Sequence, residues 1–200
     1  LPGEYSFSIA GQLSWVNLLY EILSEAIVLP LFFFIGKVLS DKKEFANRMR
    51  TGLLVSVGAY MVLSFLIIAL AKPLLSLMAT DTSIINASAT YIRIESVASI
   101  FSLAFNFVMV GMVTLGKEKY VYALTAVKLV LCLLVDMFMV STLPVSLNLG
   151  VNGIAFSNII VNVLLVVTAI VLLHKEGITL FKGEKLSFGW MKDFAKVGGI

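Results

Sequence analysis

The chain has 200 residues, 60% of them hydrophobic and only 14% charged, a balance far more apolar than that of an ordinary soluble domain. This excludes a water-soluble globular fold. The formal charge of +3 does not point to nucleic acid, because the cations gather in short segments between apolar runs, where membrane topology accounts for them.

Crossing a hydrocarbon core about 30 Å thick takes roughly 20 apolar residues in a helix. The sequence supplies such runs near 12–36, 51–71, 89–115, 121–143 and 150–173. Inside lipid every backbone N–H and C=O must be satisfied within the segment or within a closed barrel. Barrel strands alternate polar and apolar residues, and these runs do not. The predicted fold is therefore all-α, a polytopic transmembrane bundle of about five spans over 1–174, with 175–200 as an amphipathic linker leading to a further helix.

The chain opens at Leu1, not Met, and shows no basic stretch followed by a short apolar run, so nothing resembles a signal peptide. In the first span Glu21 and Glu25 stand one helical turn apart, with Asn17 and Ser24 on the same side. An ionisable group at the centre of a span costs roughly 2.5–3.5 kcal/mol on insertion scales. Two neighbouring carboxylates in low dielectric repel, which a shared proton or a bound cation relieves. Both are therefore candidate coupling-ion ligands. Pro30 removes a hydrogen bond to the Ala26 carbonyl, which predicts a bend just beyond Glu25 and a freed carbonyl as a further cation ligand.

The segment 37–50 carries Lys37, Lys42, Lys43, Arg48 and Arg50. At the start of the third span, Arg93 and Glu95 are long side chains able to snorkel to the interface, which is a structural role. Asn106, deeper in that span, suits an interhelical hydrogen bond. The fourth span places Lys128, Cys132 and Asp136 on one slowly drifting stripe. Lys128 and Asp136 lie roughly 12 Å apart along the axis, too far to pair directly. Each needs a partner elsewhere, and Glu21 or Glu25 suits Lys128. Cys132, the only cysteine, excludes an intramolecular disulfide and a cysteine cluster for zinc.

Residues 141–152 contain no Lys or Arg, whereas the turn 116–119 and a tail with Lys175, Lys182, Lys185, Lys192 and Lys196 are basic. The positive-inside rule then makes 37–50, 116–120 and the tail cytoplasmic. The first span accordingly runs inward from an external start, as expected of a fragment lacking an earlier helix. In the tail, Trp190, Met191, Phe194 and Val197 recur at helical spacing, which predicts a helix lying on the cytoplasmic membrane surface.

Three stretches resemble the multidrug and toxic compound extrusion (MATE) family of transporters. Ile35-Gly36-Lys37 with Ser40-Asp41-Lys42-Lys43-Glu44-Phe45-Ala46 is similar to the charged loop after the family's second helix. Tyr91-Ile92-Arg93-Ile94 and Leu115-Gly116-Lys117-Glu118-Lys119-Tyr120 resemble its fourth helix and the following turn. Leu134-Val135-Asp136, with Leu149-Gly150-Val151-Asn152-Gly153-Ile154-Ala155, resembles its fifth helix and the entry to the sixth. The resemblance implies that the five spans are helices two to six of the amino-terminal lobe of a two-lobe, pseudo-symmetric transporter. It implies export of cationic or amphipathic organic compounds by alternating access, driven by protons or sodium ions and with no other cofactor. The implied setting is a multi-pass protein of the plasma membrane (the bacterial inner membrane), with lipid, helix one and the carboxy-terminal lobe as its partners.

By the same resemblance Asp136 is the helix-five acid of an amino-lobe cation site. The family's Asn one turn earlier is Cys132 here, and its helix-six Thr falls at Asn158, or at Ser157 in a shifted register. Glu21, Glu25 and Lys128 stand outside the family pattern and suit a divergent network. Two other readings remain, a flippase for lipid-linked sugars from the same superfamily and a membrane assembly subunit whose buried charges only pair helices. An enzyme is not expected: the single histidine, His174, stands at a helix end without metal ligands nearby, and no nucleophile motif is present.

Overall fold

The computed structural model describes residues 5–78, 81–181 and 186–198. Lys182 and Lys185 of the basic tail, and the side chain of Val197, lie outside the described residues. Five helices are long and apolar enough to cross a membrane: α1 (Ser6–Gly36), α2 (Lys42–Leu77), α3 (Ile85–Thr114), α4 (Glu118–Val140) and α5 (Val151–Lys175). A short helix, α6 (Met191–Gly198), follows. Among the described residues there is no strand, so the bundle is all-α.

The most buried helix is α3, which packs on α2 along one side and on α5 along the other. Its sequence suits that position, since buried side chains such as Tyr91, Leu103 and Phe107 run its length. By contrast α4 leans mainly on α5, and Leu124 is its one buried residue among those described. Leu129 and Leu133 are 65% and 68% exposed, an apolar surface suited to lipid or to another helix.

The irregularity predicted near Pro30 takes a specific form. Within α1, α-helix at Ser14–Leu23 gives way to a π-helical turn at Ser24–Val28 and resumes at Leu29–Gly36. Proline has no N–H to give to the carbonyl four residues back and its ring crowds that carbonyl. A wider turn just before it accommodates both effects.

Several boundaries differ from the sequence expectation: α1 begins at Ser6 and not near 12, and α2 runs to Leu77 and not to 71. Helix α2 begins nine residues before the expected 51, because Asp41 caps it by accepting from Lys43 N at 2.9 Å and Glu44 N at 3.1 Å. The charged segment 42–50 is thus the polar first turns of a helix and not a loop. Helix α3 begins at Ile85 and not near 89, and it ends in a glycine cap. Gly116, at φ 68°, donates to the Val113 carbonyl, and Lys117 N reaches the Met112 carbonyl at 2.9 Å.

Two aromatic side chains of the tail are covered by protein. Trp190 and Phe194 are each only 8% exposed and pack against Phe34 at the end of α1, while Trp190 Nε1 donates to Thr51 Oγ1 at 3.0 Å. Asn47 holds Ser187 through two hydrogen bonds, one to its carbonyl and one from its N–H. The helix expected in the tail is present, and Trp190 just before it and Phe194 within it dock on the bundle.

Candidate functional site

Three helices bring polar side chains together on the α5-facing side of α3. Glu95 lies on α3, and Asn158 of α5 donates Nδ2 to its Oε1 at 2.6 Å. The Tyr91 hydroxyl donates to the same oxygen at 3.3 Å. Tyr91 and Glu95 meet because they are one turn apart on α3. One turn further along α5, Asn162 Nδ2 donates to the Asn158 carbonyl at 2.8 Å, which fixes the helix-five side of the site.

Asp136 of α4 lies within electrostatic range of Glu95, and no hydrogen bond joins the two among the described residues. Its Oδ1 is buried and has no hydrogen-bond partner. The same holds for Asn162 Oδ1 and Ser157 Oγ on α5, both buried in the bundle. Buried polar atoms without partners are rare, because each forfeits its hydration without recompense. A carboxylate, an amide oxygen and a hydroxyl are hard oxygen donors of the kind that accept an alkali cation or a proton. Among the described residues no three His, Cys, Asp or Glu side chains converge as a metal cluster.

The sequence-predicted residues divide into those the fold gathers and those it does not. Asp136, Asn158 and Ser157 belong to this side of the bundle. Cys132 lies half-buried one turn from Asp136, within electrostatic reach of both Asp136 and Lys128. Lys128 sets its ammonium 5.2 Å from the centre of the Phe105 ring and makes no ion pair among the described residues. The expected pairing of Lys128 with Glu21 or Glu25 is therefore absent from the structure. Glu21 and Glu25 are exposed, on the stretch of α1 that packs against α2. Asn17 and Asn106 line a separate cavity between α1, α2 and α3.

Glu95 is the residue that sequence reasoning undervalued. The snorkelling role expected of it is corrected by its burial, only 6% exposed. Starting α3 near 89 put Glu95 at the membrane interface, whereas the helix starts at Ile85 and sets Glu95 about 15 Å along its axis. The legible signal was the turn-spaced trio Tyr91, Glu95 and Ser99, whose hydroxyl donates to the Glu95 carbonyl at 3.0 Å. Arg93 points elsewhere, giving its Nε to the Ile68 carbonyl of α2 at 3.0 Å.

No curated protein and no solved structure matches this chain. The MatE family matches residues 34–138, a segment that takes in the end of α1, all of α2 and α3, and α4 to two residues past Asp136. Asn158 lies beyond it. With more than half of the sequence matched and five membrane-crossing helices in the bundle, the chain belongs to the MatE family of multi-pass membrane transporters.

Proposed function

We propose that the chain forms the amino-terminal lobe of a proton- or sodium-coupled antiporter that exports cationic or amphipathic organic compounds by alternating access. In this reading Asp136 and Glu95 take and release the coupling ion, Asn158 orients Glu95, and Ser157 and Asn162 supply neutral oxygens. The observation that supports it is the buried Asp136 oxygen left without a protein partner, within electrostatic range of the Glu95–Asn158 pair. Two carboxyl groups in a low-dielectric site favour a shared cation or proton, and emptying the site leaves charges that repel. That difference is what a coupling ion needs if it is to bias one conformation over another. The basic ends of the helices face the cytoplasm in this scheme, the plasma membrane is the host, and helix one and the carboxy-terminal lobe complete the transporter.

The test is efflux by the full-length protein in proteoliposomes under imposed proton or sodium gradients, comparing the parent with Asp136→Asn at matched folded protein. Loss of gradient-driven efflux with intact folding supports the reading. Unchanged efflux in Asp136→Asn would remove Asp136 from coupling and turn attention to Glu21 and Glu25.

A further inference from the structure

A second polar centre lies further along the same stripe of α3, beyond Glu95 toward the carboxyl end of the helix. A cavity of about 280 Å³ opens between α1, α2 and α3. Its polar lining comes from three helices, each at helical spacing: Asn17 and Ser24 from α1, Tyr60 from α2, and Ser99, Ser102 and Asn106 from α3. No charged residue lines it. Polar stripes on α1 and α3, with Asn17 and Asn106 exposed and Tyr60 of α2 beside them, are costly in a membrane unless something polar occupies the space they face.

The tyrosine hydroxyls are already engaged. Tyr60 donates to the Tyr20 carbonyl at 2.9 Å, and the Tyr20 hydroxyl shares a 2.6 Å hydrogen bond with Ser64 Oγ. Ser64 in turn donates to the Ser96 carbonyl at 3.0 Å. The two rings stack with centroids 5.0 Å apart. The tyrosines thereby form a braced aromatic wall, with Phe32 also on the lining. In contrast, the side chains of Asn17, Ser102 and Asn106 make no hydrogen bond among the described residues. Two carboxamides and a hydroxyl therefore stand ready with both donors and acceptors.

We propose that this cavity binds a neutral organic molecule that combines a ring with amide or hydroxyl groups, at a place separate from the Asp136–Glu95 cluster. The wall of Tyr20, Tyr60 and Phe32 takes the ring, and Asn17, Ser102 and Asn106 take its polar groups. The volume of about 280 Å³ is at the lower end of ligand pockets, enough for one substituted ring. A preference for the neutral molecule follows from the absence of a carboxylate in the lining, since an ammonium would give up its hydration for ring faces and amide oxygens alone. The proposal leans on the transporter reading only in naming the ligand as cargo; binding is independent of ion coupling.

The experiment uses the full-length protein in lipid nanodiscs, without a gradient. Saturation-transfer NMR follows N-acetyltyrosinamide, a neutral aryl amide, and tyramine, which carries the same ring on a cation. The expected result is saturable binding of N-acetyltyrosinamide, with tyramine weaker by about tenfold or more. Asn106→Leu removes an amide and Ser102→Phe fills the cavity, and each should weaken binding by about tenfold at an unchanged melting temperature. If either variant fails to fold, Asn17→Leu serves from the opposite wall. No saturable binding, tyramine binding as tightly as the neutral probe, or affinities that ignore all the folded variants each overturn the proposal. Failure of ion-coupled efflux with intact binding would instead strike only the antiporter reading.

Discussion

Asn158 of α5 and Glu95 of α3 form the shortest link between the two most intimately packed helices of the candidate site, with Asn158 Nδ2 giving its hydrogen to Glu95 Oε1 at 2.6 Å. Glu95 is nearly sealed from outside, so the amide replaces water that the carboxyl group lost on burial. Asn158→Leu should lower stability by about 1–3 kcal/mol, because it leaves that oxygen to the longer Tyr91 contact alone. Glu95→Gln keeps an acceptor for Asn158 and should melt close to the parent, yet lose most gradient-driven efflux. Thermal unfolding in detergent beside proteoliposome efflux separates the two. A Glu95→Gln protein that transports normally would make Glu95 a packing group only.

Gly153 is fixed by a close approach of chains. A Cβ placed there would stand 2.8 Å from the Met139 carbonyl oxygen and 2.9 Å from a Val140 methyl. Because the nearer obstacle is backbone, no rotamer change relieves it. Gly153→Ala should destabilise the α4–α5 contact by about 1–3 kcal/mol. Since α4 carries Asp136, the same change should also reduce efflux. Gly111 provides the contrast: an added Cβ there meets only the flexible end of Met49, so Gly111→Ala should cost less. Melting temperatures of the two variants, read side by side, check the ranking.

Much of this bundle is legible in the sequence because lipid imposes a length and a composition on any helix that crosses it. The five apolar runs fall within the five observed helices save at their ends, where 115, 141–143 and 150 lie just outside them. Helix ends were harder to place. Lys42 to Arg50 is charged, but it continues α2 because Asp41 caps it and Arg48 bonds Glu44 one turn back at 2.8 Å. Site membership depends on three-dimensional facing, which a single helical stripe leaves undetermined. Asn17, Glu21 and Ser24 look alike on a helical wheel, yet Asn17 and Ser24 line the cavity and Glu21 does not. Glu95 was hidden by a four-residue error in where its helix starts, from 89 to 85.

Trp190 anchors the tail. Its indole N–H is spent on Thr51, its ring meets Phe34, and the Arg48 guanidinium lies 5.5 Å from the ring centre. Removing this ring by Trp190→Ala should cost about 3–5 kcal/mol of tail docking. Thr51→Val keeps the shape but strands the indole N–H, and about 1–3 kcal/mol is expected from that alone. Limited proteolysis around Phe188 reports undocking directly. Cleavage should accelerate strongly in Trp190→Ala and moderately in Thr51→Val, with the five-helix bundle still folded. Equal cleavage rates in all three proteins would show that the tail is held by the Asn47–Ser187 bonds instead.

At the basic end of the bundle, Lys117 Nζ lies 2.5 Å from Glu176 Oε2, and the Tyr120 hydroxyl donates to Glu176 Oε1 at 3.0 Å. The pair ties the α3–α4 turn to the end of α5. The Lys117 hydrogen bond, and then the Tyr120 one, hold the Glu176 carboxyl below its ordinary value of 4.5. The hydrogen bond to Glu176 likewise holds Lys117 above its ordinary 10.5. A lowered carboxyl contributes stability above its unfolded value and loses it as the pH falls through the folded one. A raised ammonium contributes below its unfolded value and loses it as the pH rises through the folded one. The pair therefore stabilises a plateau between the two, with its acid edge below 4.5 and its alkaline edge above 10.5. Solvent and salt screen it, so its effect should shrink at high ionic strength. In Glu176→Gln the melting temperature should fall slightly at pH 7, and the parent's advantage should vanish as the pH drops from about 5 to about 3. A parent and variant whose melting temperatures run parallel through that range, at low salt, would show that the pair contributes nothing to the fold.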